Sequence, residues 1–284
     1  MKLDGKVALV TASGRGIGRT TALTLAREGA DVIVNSFSEE STARTSGEVE
    51  AIGRRALPLV GDILKADVVS EIVEKAIETF GRIDIVVNNI GGRPPEKRVP
   101  GGSPLGDVEA LWDDFYEGTL RAPVLMSEAV APHMMQQKSG KIVFLGSIAG
   151  RFTPPVPMME SIVMPAYCAM KTAINSYTQA MALRLGPYNI NVNCVCPGIV
   201  YTDAWKRHSK NSVENIPEFK GMEKEEWFKG IFRGSYPNRF PVTPLMREQT
   251  VEDIAEAIVF LVSDSATNVT GQILNVDGGM VMNR

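Results

Sequence analysis

The sequence predicts an α/β fold in which one parallel sheet is wound on both faces by helices. Three observations point there. Short β-branched apolar runs alternate with stretches of helical spacing along nearly the whole chain. A glycine-rich turn at Gly14, Gly16 and Gly18 joins the first such run to the first helix. No linker or low-complexity tract divides the alternation, so residues 1–284 are expected to form one domain. Strands alternating with helices imply right-handed crossovers and a sheet covered by helices on both sides, three layers in all.

The elements follow in order. "KVALVTA" reads as a buried first strand, and "GIGRTTALTLAREGA" as a helix that stops at Gly29. "DVIVNS" is a second strand. The polar "SEESTARTSGEVEAIG" is a helix ending in glycine. "RALPLVGD" is a third strand. "ADVVSEIVEKAIETFG" carries apolar residues at i, i+3 and i+4, and "RIDIVVNNIGG" is a fourth strand. A long helix is expected from about Val108 to Gln137, then the strand "KIVFLGS", then a helix through Tyr167 to about Leu185. "INVNCVCP", the helix "TVEDIAEAIVFLVSD" and the strand "QILNV" complete the series.

Three segments break the alternation: the Gly/Pro-rich 91–106, the Pro/Met-rich 151–165 and the long insertion 199–245. Each follows a strand directly. In a doubly wound sheet ligands bind beyond the carboxyl ends of the strands, so these segments are expected around a ligand. "EKEEWFKGIF" in the insertion has helical spacing with an apolar face, as a helical lid over the substrate would. Ordinary packing or a subunit contact would give the same pattern.

Composition excludes several classes. A net charge of −3 argues against a nucleic acid or an anionic membrane as the main partner. No apolar stretch approaches the roughly 20 residues that span a bilayer. The N-terminus does not read as a signal peptide. Cys168, Cys194 and Cys196 read as reduced thiols of a cytoplasmic protein. Only His133 and His208 are present, without metal-ligand spacing, so no metal site is expected and a Ser-His-acid triad is disfavoured. Acid–base work near neutral pH would then fall to another residue type.

"YCAMK" supplies one. Tyr167 and Lys171 are four apart, hence on one helix face. Either they are a polar surface pair, or a phenol tuned by an ammonium. The turn "TASGRGIG" lets a diphosphate approach the N–H groups at the positive end of a helix.

Together with "GD" at 61–62, "NNIGG" at 88–92, "GSIAG" at 146–150, "PGIVYT" at 197–202 and "TGQILNVDGG" at 270–279, these motifs resemble the short-chain dehydrogenase/reductase family over nearly the whole chain. The resemblance implies a single Rossmann-like domain, a homotetramer or homodimer, and hydride transfer between a nicotinamide cofactor and a small-molecule carbonyl or alcohol. It implies Ser147, Tyr167 and Lys171 as catalytic residues. Ser147 would hold the reacting oxygen, Tyr167 would be the general acid or base, and Lys171 would lower the phenol pKa and hold the nicotinamide ribose. Cofactor contacts are implied for Thr11, Ser13, Gly14, Arg15, Gly16, Ile17, Gly18, Asn35, Ser36, Asp62, Ile63, Asn89, Ile90 and Gly91. They are implied also for Tyr167, Lys171, Pro197, Gly198, Val200 and Thr202. Asp62 would contact adenine, Asn88 would sit at the cofactor-side strand end, and Thr202 would meet the carboxamide or phosphate.

The end of the second strand, "VNSFS", offers Asn35 and Ser36 but no carboxylate for a ribose 2′-OH, while Arg15 could pair with a 2′-phosphate. NADP(H) is therefore expected in preference to NAD(H). Two residues depart from the family pattern. Ala12 replaces the first glycine, which an alanine tolerates only with negative φ. Thr119 stands where the family has an asparagine whose helix kink holds a proton-relay water. Pro123 cannot donate to the Thr119 carbonyl, so that carbonyl and the hydroxyl are expected to hold the water instead.

The aromatic residues of 199–245, with Pro155, Val156, Met158 and Met159, suggest a pocket for a bulky, largely apolar ketone or secondary alcohol. Arg93, Lys97, Arg98, Lys206, Arg207 and Lys210 leave a carboxylate- or CoA-bearing substrate open. Enoyl reduction is disfavoured, because relatives doing it space Tyr and Lys further apart. The alternative from another class is a cofactor-binding sensor or scaffold with weak catalysis.

Overall fold

A computed structural model describes residues 1–91, 105–156, 158 and 165–282, with the side chains of 105–107 left aside. Seven strands form one sheet: β1 (Val7–Val10), β2 (Asp31–Ser36), β3 (Ala56–Val60), β4 (Ile85–Asn88), β5 (Gly140–Leu145), β6 (Ile190–Pro197) and β7 (Ile273–Val276). Their order is β3-β2-β1-β4-β5-β6-β7 and every pairing is parallel.

Alternation along each strand feeds two cores. On one face Val7, Leu9, Val86, Ile142, Phe144 and Cys194 join side chains of α3 (Ala66–Phe80), α5 (Ala122–Gln137) and α6 (Pro165–Leu185). On the other, Ala8, Val10, Val32, Val34, Val87 and Val143 join α1 (Gly16–Arg27), α2 (Glu39–Ala51) and α9 (Val251–Val262). α9 starts with a reciprocal cap between Thr250 and Asp253. β1 pairs with β2 on one side and β4 on the other, and this reversal of strand order leaves a crevice at their carboxyl ends. No described helix is long and apolar enough to cross a membrane.

The expected long helix is not regular. α4 (Leu105–Phe115) passes through a π-helical turn at Tyr116–Arg121 before continuing as α5. There Ala122 N–H donates to the Glu117 carbonyl, five residues back. The insertion holds two helices, α7 (Asp203–Asn215) and α8 (Lys224–Phe232). α8 matches the expected helix, but its apolar face turns inward. Trp227, Phe228, Ile231 and Phe232 are about 1% exposed, packed with Phe219, Tyr236, Phe240 and Met158. The insertion thus carries its own small core. Val156 is exposed; Met159, Arg93, Lys97 and Arg98 lie outside the described residues.

Candidate active site

β1 ends in a turn fixed by its own side chains. The Thr11 hydroxyl accepts from Asn89 N–H at 3.0 Å, and Asn89 Nδ2 donates to the carbonyls of Thr11 and Ala12 at 3.2 and 3.1 Å. Ser13 Oγ donates to the Val10 carbonyl at 2.8 Å, while Ser13 N–H donates to the Asn35 carbonyl. Asn35 Nδ2 is spent on the Leu59 and Gly61 carbonyls. Thr11, Ser13, Asn35 and Asn89 therefore brace the turn.

Ala12 has φ of 50°, in the left-handed region, and not the negative φ that its side chain favours. The strand-to-helix reversal demands that conformation of whichever residue stands there. The Asn89 bond to the Ala12 carbonyl holds it.

Beyond the turn the geometry suits a diphosphate. α1 begins at Gly16 with no side-chain cap and no acid in its first turn. Its leading N–H groups, including those of Ile17 and Gly18, have no partner within the helix. Gly16 has φ of 54° with open space where a Cβ would stand. Gly18 abuts the Asn89 amide and the Ala12 carbonyl, too closely for any side chain. Arg15 and Gly16 are exposed. An uncapped helix end with no acid in its own first turn fits the phosphates of a dinucleotide.

The other expected contacts frame the same crevice. Asp62 is exposed and accepts from Leu64 N–H at 3.1 Å, whereas the Ile63 side chain is buried in the core. Ile90 packs beneath the crevice, and a Cβ on Gly91 would lie 2.9 Å from Lys171 Nζ. Gly198 N–H donates to Gln249 Oε1 at 3.1 Å, Val200 bridges Gln249, and Thr202 caps α7 through its backbone alone. Pro197 ends β6. Asn88 is buried, and its amide donates to Ser127 Oγ at 2.9 Å.

Ser147, Tyr167 and Lys171 come together at the ends of β5 and α6. Ser147 follows β5 and accepts from Ala149 N–H at 3.1 Å. Its hydroxyl also acts on the Tyr167 phenol, holding the phenol's pKa down. Lys171, 3% exposed, donates to the Leu145 carbonyl at 2.6 Å, and its Nζ lies 5.7 Å from the Tyr167 ring centre. Phe115 backs the Tyr167 ring at 5.9 Å between centroids. Thr119 is fully buried in the π-helical turn, which packs against α6.

Burial governs the ionisation of this pair. Tyr167 is half-buried, and desolvation of its phenol raises it to about 12 against the opposing influence of the Ser147 hydroxyl. Burial lowers the Lys171 ammonium to about 8. The sequence-based expectation was a phenol lowered by the ammonium. Desolvation dominates instead, with the Ser147 hydroxyl opposing it, and Lys171 donates to the Leu145 carbonyl.

Asn175 escaped the sequence reading, and Gly150, present there only as the end of "GSIAG", gains a structural role. A Cβ on Gly150 would lie 2.6 Å from the Lys171 carbonyl carbon, so the loop rests directly on the α6 backbone. Asn175 Nδ2 donates to the Gly150 carbonyl at 3.0 Å and fastens the two. The signal was available: Tyr167, Lys171 and Asn175 repeat at i, i+4, i+8 on one helix face.

Comparisons with known proteins agree with this geometry. The family model described as short chain dehydrogenase matches residues 6–212. A second, described as enoyl-(acyl carrier protein) reductase, matches residues 232–281, outside the Ser147–Lys171 region. The cyclohexanol dehydrogenase of Rhodococcus sp. (strain TK6) is 36% identical, covering 99% of this chain and 97% of its own. The 7alpha-hydroxysteroid dehydrogenase of Escherichia coli (strain K12) is 32% identical, covering 99% and 96%. A solved structure of a 7 alpha-hydroxysteroid dehydrogenase, complexed with NADH and 7-oxo glycochenodeoxycholic acid, superimposes with a TM-score of 0.80. It is 31% identical and covers 99% of this chain and 96% of that one. With matches across both halves of the fold and at the motifs that build the crevice, the chain belongs to the short-chain dehydrogenase family of oxidoreductases.

Proposed function

We propose that the protein is an NADP(H)-dependent alcohol dehydrogenase or carbonyl reductase acting on a bulky, largely apolar ketone or secondary alcohol. The convergence of Ser147, Tyr167 and Lys171 at the carboxyl edge of the sheet carries this reading. Ser147 holds the substrate oxygen, and Tyr167 delivers or removes its proton. Lys171, fixed by the Leu145 carbonyl, reaches toward the nicotinamide ribose. A bound nicotinamide would supply the hydride chemistry and, when oxidised, a positive charge beside the phenol.

Cofactor choice is supported by Ser36 at the end of β2, where an NAD enzyme of this fold carries an acid, and by the exposed Arg15. Gly14, Gly16, Ile17 and Gly18 would meet the diphosphate. Asp62 and Ile63 would border the adenine, and Pro197, Gly198, Val200 and Thr202 the nicotinamide. Thr119 would hold the relay water; the π-helical turn against α6 favours it. Half-buried Phe152, Tyr201 and Trp205 share an apolar cluster with Tyr167 and support an apolar substrate. We place the enzyme in the cytoplasm as a homotetramer or homodimer, supported by the exposed Leu183 and Phe260.

The test follows absorbance of NADPH over a panel of cyclic and aromatic ketones, with Tyr167→Phe alongside. Turnover by the wild type and none by the variant supports the reading. If both are inert while both bind cofactor, the chain is a cofactor-binding sensor or scaffold.

A further inference from the structure

We propose that Gln249 is a positioning residue: it sets the loop Pro197–Thr202, and through it the nicotinamide half of the cofactor, without touching the cofactor itself. This deepens the oxidoreductase reading above and rests on it.

Gln249 lies just ahead of α9 and is 5% exposed. Its Oε1 accepts from Gly198 N–H at 3.1 Å, and its backbone forms a parallel bridge with Val200. Gly198 N–H is shared with the Val276 carbonyl, also at 3.1 Å, at the end of β7. The approach is close. A Cβ on Gly198 would lie 2.7 and 2.8 Å from the Gln249 amide nitrogen and oxygen, and 2.9 Å from the Asp277 Cβ. The turn after β7 is itself fixed, because the Asp277 carboxylate accepts from Gly279 and Val281 N–H at 2.9 and 2.8 Å. Leu245 N–H donates to the Gly278 carbonyl at 3.1 Å and joins the end of the insertion to that turn. Gln249 thus stands where three chain segments meet: the loop after β6, the turn after β7 and the end of the insertion.

Both ends of the loop it holds matter to the site. At one, β6 brings Pro197 to the carboxyl edge of the sheet. A dinucleotide lies across the point where strand order reverses. With its adenosine half toward β2 and β3, its nicotinamide half falls toward β5 and β6. At the other end, Thr202 is the N-cap of α7, the helix bearing Trp205. A shift of Gly198 or Val200 would move both.

Packing alone does not account for a glutamine here. Its Nε2 is enclosed and has no hydrogen-bond partner among the described residues. A buried donor left in that state costs stability, so a side chain of equal length without the amide would suit the fold at least as well. What the glutamine adds is the oxygen facing Gly198.

Two variants of the full chain test this. Gln249→Met keeps the length and removes the acceptor; Gln249→Asn keeps the amide and falls one methylene short. Each is titrated calorimetrically, beside the wild type, with NADPH and with adenosine 2′,5′-bisphosphate, which lacks the nicotinamide half, and thermal midpoints are recorded. Both variants should bind NADPH about three- to tenfold more weakly, as loss of one hydrogen bond does, and the bisphosphate within about twofold of wild type. Gln249→Met should melt at or above the wild-type temperature. If the wild type binds no NADPH, the cofactor reading falls and takes this proposal with it. If the wild type binds NADPH and both variants match it, the positioning role is refuted while the cofactor reading stands. If both ligands weaken equally and Gln249→Met melts lower, Gln249 only props the fold and the positioning role is again refuted.

Discussion

Lys171 Nζ lies 2.6 Å from the Leu145 carbonyl oxygen and 5.7 Å from the centre of the Tyr167 ring. The buried ammonium is thus fastened to the strand below it, and its pKa drops to about 8 from 10.5. An unfolded chain keeps this proton up to about 10.5, whereas the folded chain releases it near 8. Folding is therefore penalised below about pH 8, and the penalty fades as pH rises toward 10.5. Denaturant unfolding of the wild type and Lys171→Met should show the wild type gaining stability relative to the variant across that window. A difference that stays flat with pH would remove the buried-ammonium account.

Tyr167→Phe keeps the ring against Phe115 and removes the proton. Turnover is expected to fall by about 10²–10⁴-fold, the usual reach of a positioned acid, with nucleotide affinity little changed. Ser147→Ala should cost about 10²–10³-fold, as loss of a preorganised donor does. Steady-state rates and cofactor titration of each variant decide the matter; comparable losses in cofactor affinity would mean a collapsed site.

Ala12 holds a left-handed backbone at φ of 50°. An L-residue pays roughly 1–2 kcal/mol there, offset in a glycine variant by a looser unfolded chain worth roughly 0.4–1 kcal/mol. Ala12→Gly should then stabilise the fold by about 0.5–1 kcal/mol, read from denaturant midpoints. A destabilised variant would show that the turn carries no such strain.

Gly150 has no room for a side chain against Lys171 and Thr172. Gly150→Ala should lift the Ser147 loop from α6, costing roughly 1–3 kcal/mol of stability. Activity should fall further than Asn175→Ala makes it fall, since the latter removes only the bond to the Gly150 carbonyl. Equal activity in Gly150→Ala and wild type would refute the close docking.

The sheet was legible because its strands are short apolar runs with helices between them, and period alone separates the two. The Tyr167–Lys171 spacing was visible but undecided by itself, and the Ser147–Tyr167–Lys171 set was legible only through the ordered motifs that resemble the short-chain dehydrogenase/reductase family. What the sequence concealed depends on non-local contact. Asn89 holds the turn after β1 from 77 positions away, and nothing near Ala12 announces its φ. The π-helical turn at Tyr116–Arg121 looks like ordinary helix in residue pattern; only Pro123 hinted at irregularity. The aromatic residues of the insertion were visible, but which way they face is decided by tertiary packing.

That packing divides the insertion into positions open to redesign and positions closed to it. Trp227, Phe228 and Phe232 are each about 1% exposed, so trimming them would hollow the flap and not enlarge a binding cavity. Tyr201, Trp205 and Phe152 retain surface beside Tyr167. On the proposed function, attempts to retarget the enzyme toward larger or smaller molecules have their leverage at Tyr201, Trp205 and Phe152.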